Sequence, residues 1–211
     1  SSDLRNAAKR RHDLLTPIAK SWSTEIGVEV SSEALQVYGG MGFIEETGAA
    51  QHYRDARIAP IYEGTNAIQA IDLVSRKVAL DGGVAMGSLI TDMRQVAYHM
   101  TEQTATKHLG PILDRALNAL EAATSWVVAN PGPPSLMAAS SYMKLAGEVI
   151  GGALLGKRTR LVSTSGDASA AECIIAETYF SQILSAAPSH LTVIESGFGH
   201  LDKLKLHQLA S

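Results

Sequence analysis

Apolar residues recur every three or four positions along most of the chain, a spacing that places them on one face of successive α-helices. No stretch shows the strict alternation of a half-buried strand. Thr16 followed by Pro17 is a favourable helix start, because a hydroxyl can cap a helix and proline suits its first position. We therefore predict a helix over about 17–38 that ends at Gly39-Gly40, where glycine permits a left-handed exit.

Further capping residues and helix breakers divide the rest of the chain. Thr47 is placed to cap a short helix that Pro60 ends, and Thr65 is placed to cap the next one. Glycines at 82 and 83 end that helix and predict a boundary between a domain of residues 1–83 and a second domain of residues 84–211. The predicted fold class is all-α, an antiparallel helical bundle with an appended helical domain.

The second predicted domain has helices separated at Gly110-Pro111 and at the hinge 130–134. The helix that follows should let another backbone come close, because its glycines repeat at near-fourfold spacing: Gly147, Gly151, Gly152 and Gly156. Ser169 with Glu172 three residues later has the form of a capping box. Residues 197–211 fit either a last short helix or an ordered strap.

Composition excludes several classes of protein. Apolar residues make up 45% of the chain, but no apolar run approaches the roughly 18 to 20 residues that a membrane span needs. A net charge of -3, spread along the chain, provides no basic field for nucleic acid. The single cysteine, Cys173, precludes an internal disulfide, and its neighbours Ile174 and Ile175 predict a buried, inert thiol. This usage fits a reducing compartment, and we expect a cytoplasmic protein.

Several common catalytic patterns are missing from the sequence. No histidine has the H-E-x-x-H spacing, so no metal site is expected, and no G-x-S-x-G run indicates a serine nucleophile. The run Gly39-Gly40-Met41-Gly42 follows a predicted helix, whereas the dinucleotide fingerprint follows a strand. Its glycines could still bring the backbone close to a phosphate or a cofactor.

Glu63 is the titratable residue with the most informative surroundings. It lies just before the predicted cap Thr65, among Ile61, Tyr62 and the apolar stripe that begins at Ile68. A carboxylate withdrawn from water in such a pocket becomes a stronger base near neutral pH. On these neighbours alone, however, an exposed loop glutamate is the better interpretation.

Three motifs in order resemble a known family. They are the runs EALQVYGGMGF at 33–43, YRDARI at 53–58 and IYEGT at 61–65. Together they resemble the C-terminal helical domain of acyl-CoA dehydrogenases, and their order makes the signal specific. The resemblance implies an FAD-dependent dehydrogenation of an acyl-CoA thioester to the 2-enoyl-CoA. Glu63 would be the catalytic base that removes the α-proton, while the β-hydrogen leaves as hydride to the flavin.

The same resemblance implies further binding roles. The backbone N–H of Glu63 would bind the thioester carbonyl and stabilise developing negative charge. Gly64 would leave room for the thioester, and Tyr62 would line the acyl chain. The positions that match FAD contacts of the family are Gln36, Val37, Gly39, Gly40 and Thr65, of which the first four commonly serve a neighbouring subunit.

Two other positions bear on this assignment. Ala67 departs from the family, because many members carry a longer polar side chain there that touches FAD; a contact at Ala67 would use the backbone. Arg54 and Asp55 are expected to form a structural ion pair without a catalytic role.

The continuation after about residue 83 resembles, more loosely, the additional helical domain of longer members such as the methylthiopropanoyl-CoA dehydrogenase group. The family's N-terminal helical domain and β-barrel have no counterpart in the sequence, so we expect a fragment or one half of a split enzyme. Expected partners are an acyl-CoA, an electron-transferring flavoprotein and further copies of the chain in a dimer or tetramer. The alternative is a catalytically silent helical assembly domain that cannot bind FAD alone. A third interpretation, nucleic-acid binding, is disfavoured by the acidic charge.

Overall fold

The computed structural model describes residues 2–162 and 168–196 of the chain. In chain order the elements are α1 (Ser2–Tyr38), α2 (Gly40–Phe43), a 3₁₀ turn (Glu45–Thr47), α3 (Ala49–Ile58), α4 (Asn66–Asp72) with a π-helical extension (Leu73–Val78), α5 (Val84–Thr101), α6 (Gly110–Ala129), α7 (Pro133–Val162), α8 (Ala168–Tyr179) with a π-helical extension (Phe180–Leu184), and α9 (Ser189–Glu195). The described residues contain helices and turns but no strand, which confirms the predicted all-α fold.

Helix α1 runs unbroken through Pro17, so the predicted helix start at Thr16-Pro17 is wrong. The Thr16 hydroxyl donates to the carbonyl of His12 at 2.8 Å instead of capping a new helix. The buried positions of α1 share one face: Leu14, Pro17, Ile18 and Ser21. Proline inside a helix typically costs about 3 kcal/mol. Here Pro17 belongs to the buried face, whose packing opposes that cost.

The far end of α1 matches the prediction, because the helix stops at Tyr38 and Gly39 has a φ of 61°. The next predicted cap is displaced by one residue. Gly48, with a φ of 75°, is the N-cap of α3. The Thr47 hydroxyl still accepts from the N–H of Ala49, the first residue of α3, at 3.4 Å, and it donates to the carbonyl of Met41 at 2.7 Å. Residues 39–48 thus form a short connection in which the chain turns back from α1 into α3.

One apolar core extends across the predicted boundary at residue 83. The π-helical extension of α4 contributes Leu73, Val74 and Val78, each fully buried. The largest core side chains of the later helices are Met86, Ile90, Met100, Leu113, Leu117, Leu120, Tyr142, Leu145, Phe180 and Leu184. Burial raises the pKa of the Tyr142 phenol, whose hydroxyl lies 2.8 Å from the Thr124 hydroxyl. The division into two domains at residue 83 stays a prediction.

The glycine-bearing face of α7 accommodates side chains and not a second backbone, which corrects the prediction. Each glycine faces a bulky group: Trp22 at Gly147 and Gly151, Leu184 at Gly152, and Met100 at Gly156. The Tyr179 hydroxyl closes the same region by donating to the carbonyl of Glu148 at 2.9 Å. The Trp22 contact joins the middle of α1 to α7.

Helix α8 presents apolar side chains to solvent. Ile174 is 62% exposed and Ile175 is 52% exposed, and Cys173, also on α8, is only half-buried. The predicted buried thiol is therefore wrong. The side chain of Ser169 and the tail 197–211, for which sequence predictions were made, lie outside what the structure describes. Within the described ranges, no helix combines the length and apolarity that a membrane crossing requires.

Replacing Gly147 with alanine tests the contact between α1 and α7. A Cβ at Gly147 would collide with the Trp22 ring. We expect Gly147→Ala to lower the free energy of unfolding by about 1–3 kcal/mol through overpacking. The matched control is Gly87→Ala in α5, where a Cβ meets nothing within 4 Å and alanine should stabilise the helix by up to about 1 kcal/mol. Chemical denaturation measures both. A stable Gly147→Ala variant would contradict the Trp22 packing.

Candidate active site

Glu63 lies in a tight loop, residues 59–65, that joins α3 to α4. The N–H of Tyr62 donates to the carbonyl of Ile58 at 3.1 Å, and the N–H of Asn66 donates to the carbonyl of Pro60 at 3.0 Å. The Thr65 side chain accepts from the N–H of Ile68 at 3.4 Å. Thr65 is therefore the N-cap of α4, as the sequence predicted. We call the segment 59–65 the Glu63 loop.

The backbone at Glu63 has an unusual conformation. Its φ is 55°, and it is the one non-glycine residue in the described parts of the chain with a positive φ. Gly64 follows with a φ of 84°. A non-glycine residue held in this region costs on the order of 1–3 kcal/mol, and such strain concentrates at functional sites. The conformation must therefore be maintained by contacts around the loop.

Two side chains donate hydrogen bonds to the carbonyl groups of Glu63 and Gly64. Lys20 Nζ on α1 donates to the carbonyl of Gly64 at 2.8 Å, and Gln69 Nε2 donates to the carbonyl of Glu63 at 3.4 Å. By contrast, the N–H of Glu63 has no acceptor among the described residues. The loop thus has fixed carbonyls and an available donor.

Asn66, the first residue of α4, attaches the end of the same loop to α1 through side-chain hydrogen bonds. Its side chain is buried and donates from Nδ2 to the carbonyl of Ser21 at 3.1 Å and to Glu25 Oε1 at 2.8 Å. Its Oδ1 accepts from Lys20 Nζ at 2.8 Å. Sequence reasoning missed both Lys20 and Asn66, since they meet across more than forty positions and no local pattern connects them.

The apolar pocket expected around Glu63 is not formed by the described residues. Glu63 is exposed, and Ile61, Tyr62 and Ile68 are each more than half exposed. The sequence pattern identified these apolar side chains, but it did not show that the described residues leave them uncovered. Withdrawal of Glu63 from water would need a further covering surface.

The remaining predicted site residues lie at the far end of α1. Gln36, Val37, Gly39 and Gly40 are all exposed, Val37 by 87%. At about 1.5 Å per residue, the helix between Lys20 and Gln36 is about 24 Å long. The structure therefore brings Tyr62, Glu63, Gly64 and Thr65 together, but it keeps the α1 terminus apart from them.

The predicted ion pair between Arg54 and Asp55 is wrong. Arg54 Nη1 lies 3.3 Å from Glu45 Oε1, and its Nη2 donates to Gln51 Oε1 at 2.9 Å. Asp55 accepts from Gln51 Nε2 at 2.6 Å. Successive helix residues point in different directions and do not face each other, which explains the different pairing.

A cleft of about 640 Å³ opens beside the Glu63 loop, between α1, α3, α4 and α7. Asn66 and Ala67 lie on its wall, and Glu25, Glu29 and Glu33 line it from α1. Glu63 does not line the cleft. Three carboxylates along one wall make it unfavourable for an anionic group such as a CoA phosphate. In the described residues, no three His, Cys, Asp or Glu side chains cluster as metal ligands would.

Two family profiles match almost the whole chain. The profile described as "Acyl-CoA dehydrogenase, C-terminal domain" matches residues 4–78. The profile described as "Acetyl-CoA dehydrogenase C-terminal like" matches residues 82–202, which is more than half of the chain. The chain belongs to the acyl-CoA dehydrogenase family. This membership bears out the resemblance seen in the three motifs.

Individual acyl-CoA dehydrogenases are similar to part of the chain. A 3-methylmercaptopropionyl-CoA dehydrogenase from Ruegeria pomeroyi is 59% identical over 81 residues, covering 38% of this chain and 14% of the relative. A broad-specificity linear acyl-CoA dehydrogenase from Mycobacterium tuberculosis is 42% identical over 79 residues, 37% of this chain and 13% of that protein. The human mitochondrial short-chain specific acyl-CoA dehydrogenase is 48% identical over 54 residues, 26% of this chain and 13% of that protein. The matches thus span about one seventh of these relatives' length.

The strained backbone makes a prediction that is independent of catalysis. Glycine adopts positive φ at no steric cost, so Glu63→Gly should raise the free energy of unfolding by about 0.5–1 kcal/mol. The control is Glu102→Gly, an exposed residue at the end of α5 with a φ of -77°, where glycine should be neutral or destabilising. Chemical denaturation of both variants measures the difference. If Glu63→Gly destabilises as much as the control, the backbone at Glu63 is not strained.

Proposed function

We propose that this chain supplies the catalytic base of an FAD-dependent acyl-CoA dehydrogenase that converts an acyl-CoA to the trans-2-enoyl-CoA. The observation that carries the proposal is the conformation of Glu63. In this member of the family, Glu63, whose motif resembles the one around the family's glutamate, has a strained left-handed conformation and an exposed carboxylate, and its N–H has no acceptor among the described residues. Strain at a residue with these groups is characteristic of a site under functional constraint.

Glu63 would act on the α-carbon of the acyl group. Its carboxylate takes the α-hydrogen as a proton, the electrons of that C–H bond form the new α,β double bond, and the β-hydrogen leaves with its electron pair as hydride. FAD, when bound, supplies the hydride acceptor. A positioned carboxylate in general base catalysis typically contributes a factor of about 10²–10⁴ to the rate.

The N–H of Glu63 would donate to the thioester carbonyl oxygen. As the α-proton leaves, negative charge develops on that oxygen, and a donor fixed beforehand stabilises it without reorganisation. Two observations support this role: the N–H has no acceptor in the described parts of the chain, and the carbonyls of Glu63 and Gly64 are restrained by hydrogen bonds. Gly64 and Tyr62 would border the thioester and the acyl chain.

The residues at the end of α1 fit an extended cofactor that passes along the backbone. A Cβ at Gly39 or Gly40 would meet nothing within 4 Å, so this surface is open. We propose that Gln36, Val37, Gly39 and Gly40 hold the adenosine diphosphate part of an FAD whose flavin serves another subunit. About 24 Å of α1 separates these residues from Lys20, which contacts the Glu63 loop. This distance supports two separate half-sites, one at the end of α1 and one at the Glu63 loop with Thr65. Ala67 is exposed and offers only backbone to the cofactor.

We propose further that the site is completed by parts of a longer enzyme. The described chain leaves apolar side chains exposed near both half-sites, namely Val37, Met41, Phe43, Ile58, Ile61, Tyr62 and Ile68. Burying them against additional domains and a second subunit would withdraw Glu63 from water. Electrons would pass to an electron-transferring flavoprotein, and the single cysteine is compatible with the cytoplasm.

The alternative function is a helical assembly domain without catalytic activity. The apolar side chains exposed near each half-site favour it, since exposed apolar patches mark protein interfaces. The strained conformation of Glu63 speaks against it, because assembly alone gives no reason to retain a left-handed glutamate.

The test joins this chain to the N-terminal region of the Ruegeria pomeroyi relative and follows anaerobic bleaching of the flavin by a panel of acyl-CoAs. The panel includes 3-methylmercaptopropionyl-CoA and linear chains of several lengths. We expect Glu63→Gln to slow bleaching by about 10²–10⁴. Glu46→Gln, an exposed carboxylate before α3, is the matched control and should bleach at the wild-type rate.

The outcomes separate the two functions. Equal bleaching by Glu63→Gln and wild type would disprove the base assignment. A chimera that binds FAD and oligomerises, but whose flavin is not bleached by any acyl-CoA of the panel, would favour the assembly domain. Bleaching by the 211-residue chain alone would show that no further part is needed.

A further inference from the structure

We infer that Lys20 is a positioning residue for the proposed reaction: its ammonium group, together with Asn66, holds the Glu63 loop in the conformation that presents the base. The inference rests on the proposed function of Glu63. The family resemblance and the sequence motifs assign no role to Lys20, which lies forty-four positions before the carbonyl it contacts.

Lys20 contacts the loop at Gly64, the residue with the most conformational freedom. Gly64 lacks a Cβ, so the backbone on either side of it has the greatest conformational freedom in the segment. Without an external bond, the peptide that follows Gly64 could rotate and release Glu63 from its strained φ of 55°. Lys20 Nζ prevents this by donating to the Gly64 carbonyl at 2.8 Å. A charge-assisted bond of this kind is about twice as strong as a neutral one.

Lys20 is itself held in place by the protein. Its side chain is half-buried, and a second ammonium hydrogen is donated to Asn66 Oδ1 at 2.8 Å. Asn66 is buried and bonded through Nδ2 to Ser21 and Glu25 on α1. An ordinary surface lysine would keep its ammonium in water. This one instead connects two parts of the site.

The support for Lys20 continues on the opposite face of α1. Two residues further along, Trp22 packs against Gly147 and Gly151 of α7. The segment of α1 that carries Lys20 is therefore fixed against the later helices while its lysine reaches the Glu63 loop. The position of Glu63 therefore depends on how α1 packs against the core of the bundle, as well as on contacts within the Glu63 loop.

The test compares Lys20→Met, which removes the hydrogen bonds and keeps the side-chain length, with Lys20→Arg and with the control Lys9→Met. Lys9 is also on α1 and pairs with Asp13 at 2.7 Å, but it contacts no part of the Glu63 loop. In the chimeric holoenzyme, we expect Lys20→Met to lower kcat about a hundredfold, because a displacement near 1 Å has that effect. KM should change by less than about threefold, since substrate binding energy is mostly retained.

A second readout does not depend on activity. Amide hydrogen exchange in the 211-residue chain, followed by NMR, should show the Glu63 loop exchanging at least about tenfold faster in Lys20→Met, with the core of α5 and α6 unchanged. Lys20→Arg should recover part of both kcat and protection. Lys9→Met should match wild type in both.

Failure of the inference and failure of the proposed function can be told apart. If Glu63→Gln abolishes bleaching while Lys20→Met changes neither kcat nor exchange in the loop, Lys20 has no positioning role. If Lys20→Met accelerates exchange throughout the bundle and Lys20→Arg restores nothing, its role is general stability and the inference is again wrong. If Glu63→Gln remains active, the base assignment fails, whatever the exchange data show for the loop.

Discussion

A single helix determines where every part of the candidate site lies. Helix α1 has 37 residues and is about 55 Å long at the usual rise per residue. Its middle is fixed by burial of Leu14, Pro17 and Ile18 and by the Trp22 ring on α7. From this fixed segment Lys20 and Ser21 hold the Glu63 loop, while the far end projects Gln36 to Gly40 into solvent. Because a helix is stiff over this length, the two half-sites have a set separation.

The Glu63 loop illustrates how a small amount of strain is maintained. The left-handed glutamate is unfavourable by an estimated 1–3 kcal/mol. Opposing it are a capped helix start, a turn closed between Pro60 and Asn66, and the bonds from Lys20 and Gln69. Each hydrogen bond contributes a net 0.5–1.5 kcal/mol, or roughly 1.5–3 when one partner is charged. A few such bonds therefore suffice, and losing the charged one would shift the balance most.

The sequence specified the local features of this site and not the distant ones. The Thr65 cap and the glycine exit at Gly39 follow from residues a few positions apart, and both are found. Pro17 was misassigned because proline is suited to a helix start, and only tertiary burial reveals it inside a longer helix. Lys20 and Asn66 could not be found, since their contact depends on how α1 packs beside α4. The exposure of Ile61 and Tyr62 was equally invisible, because periodicity identifies an apolar face without showing what covers it.

A crystal structure of the chimeric holoenzyme with an unreactive acyl-CoA analogue tests most directly whether Glu63 is the base. A Glu63 carboxylate oxygen should lie about 3–3.5 Å from the α-carbon, the separation of a reactive geometry. The Glu63 φ should remain positive, and its N–H should point at the thioester oxygen. A different carboxylate facing the α-carbon, with Glu63 turned into solvent, would contradict the assignment.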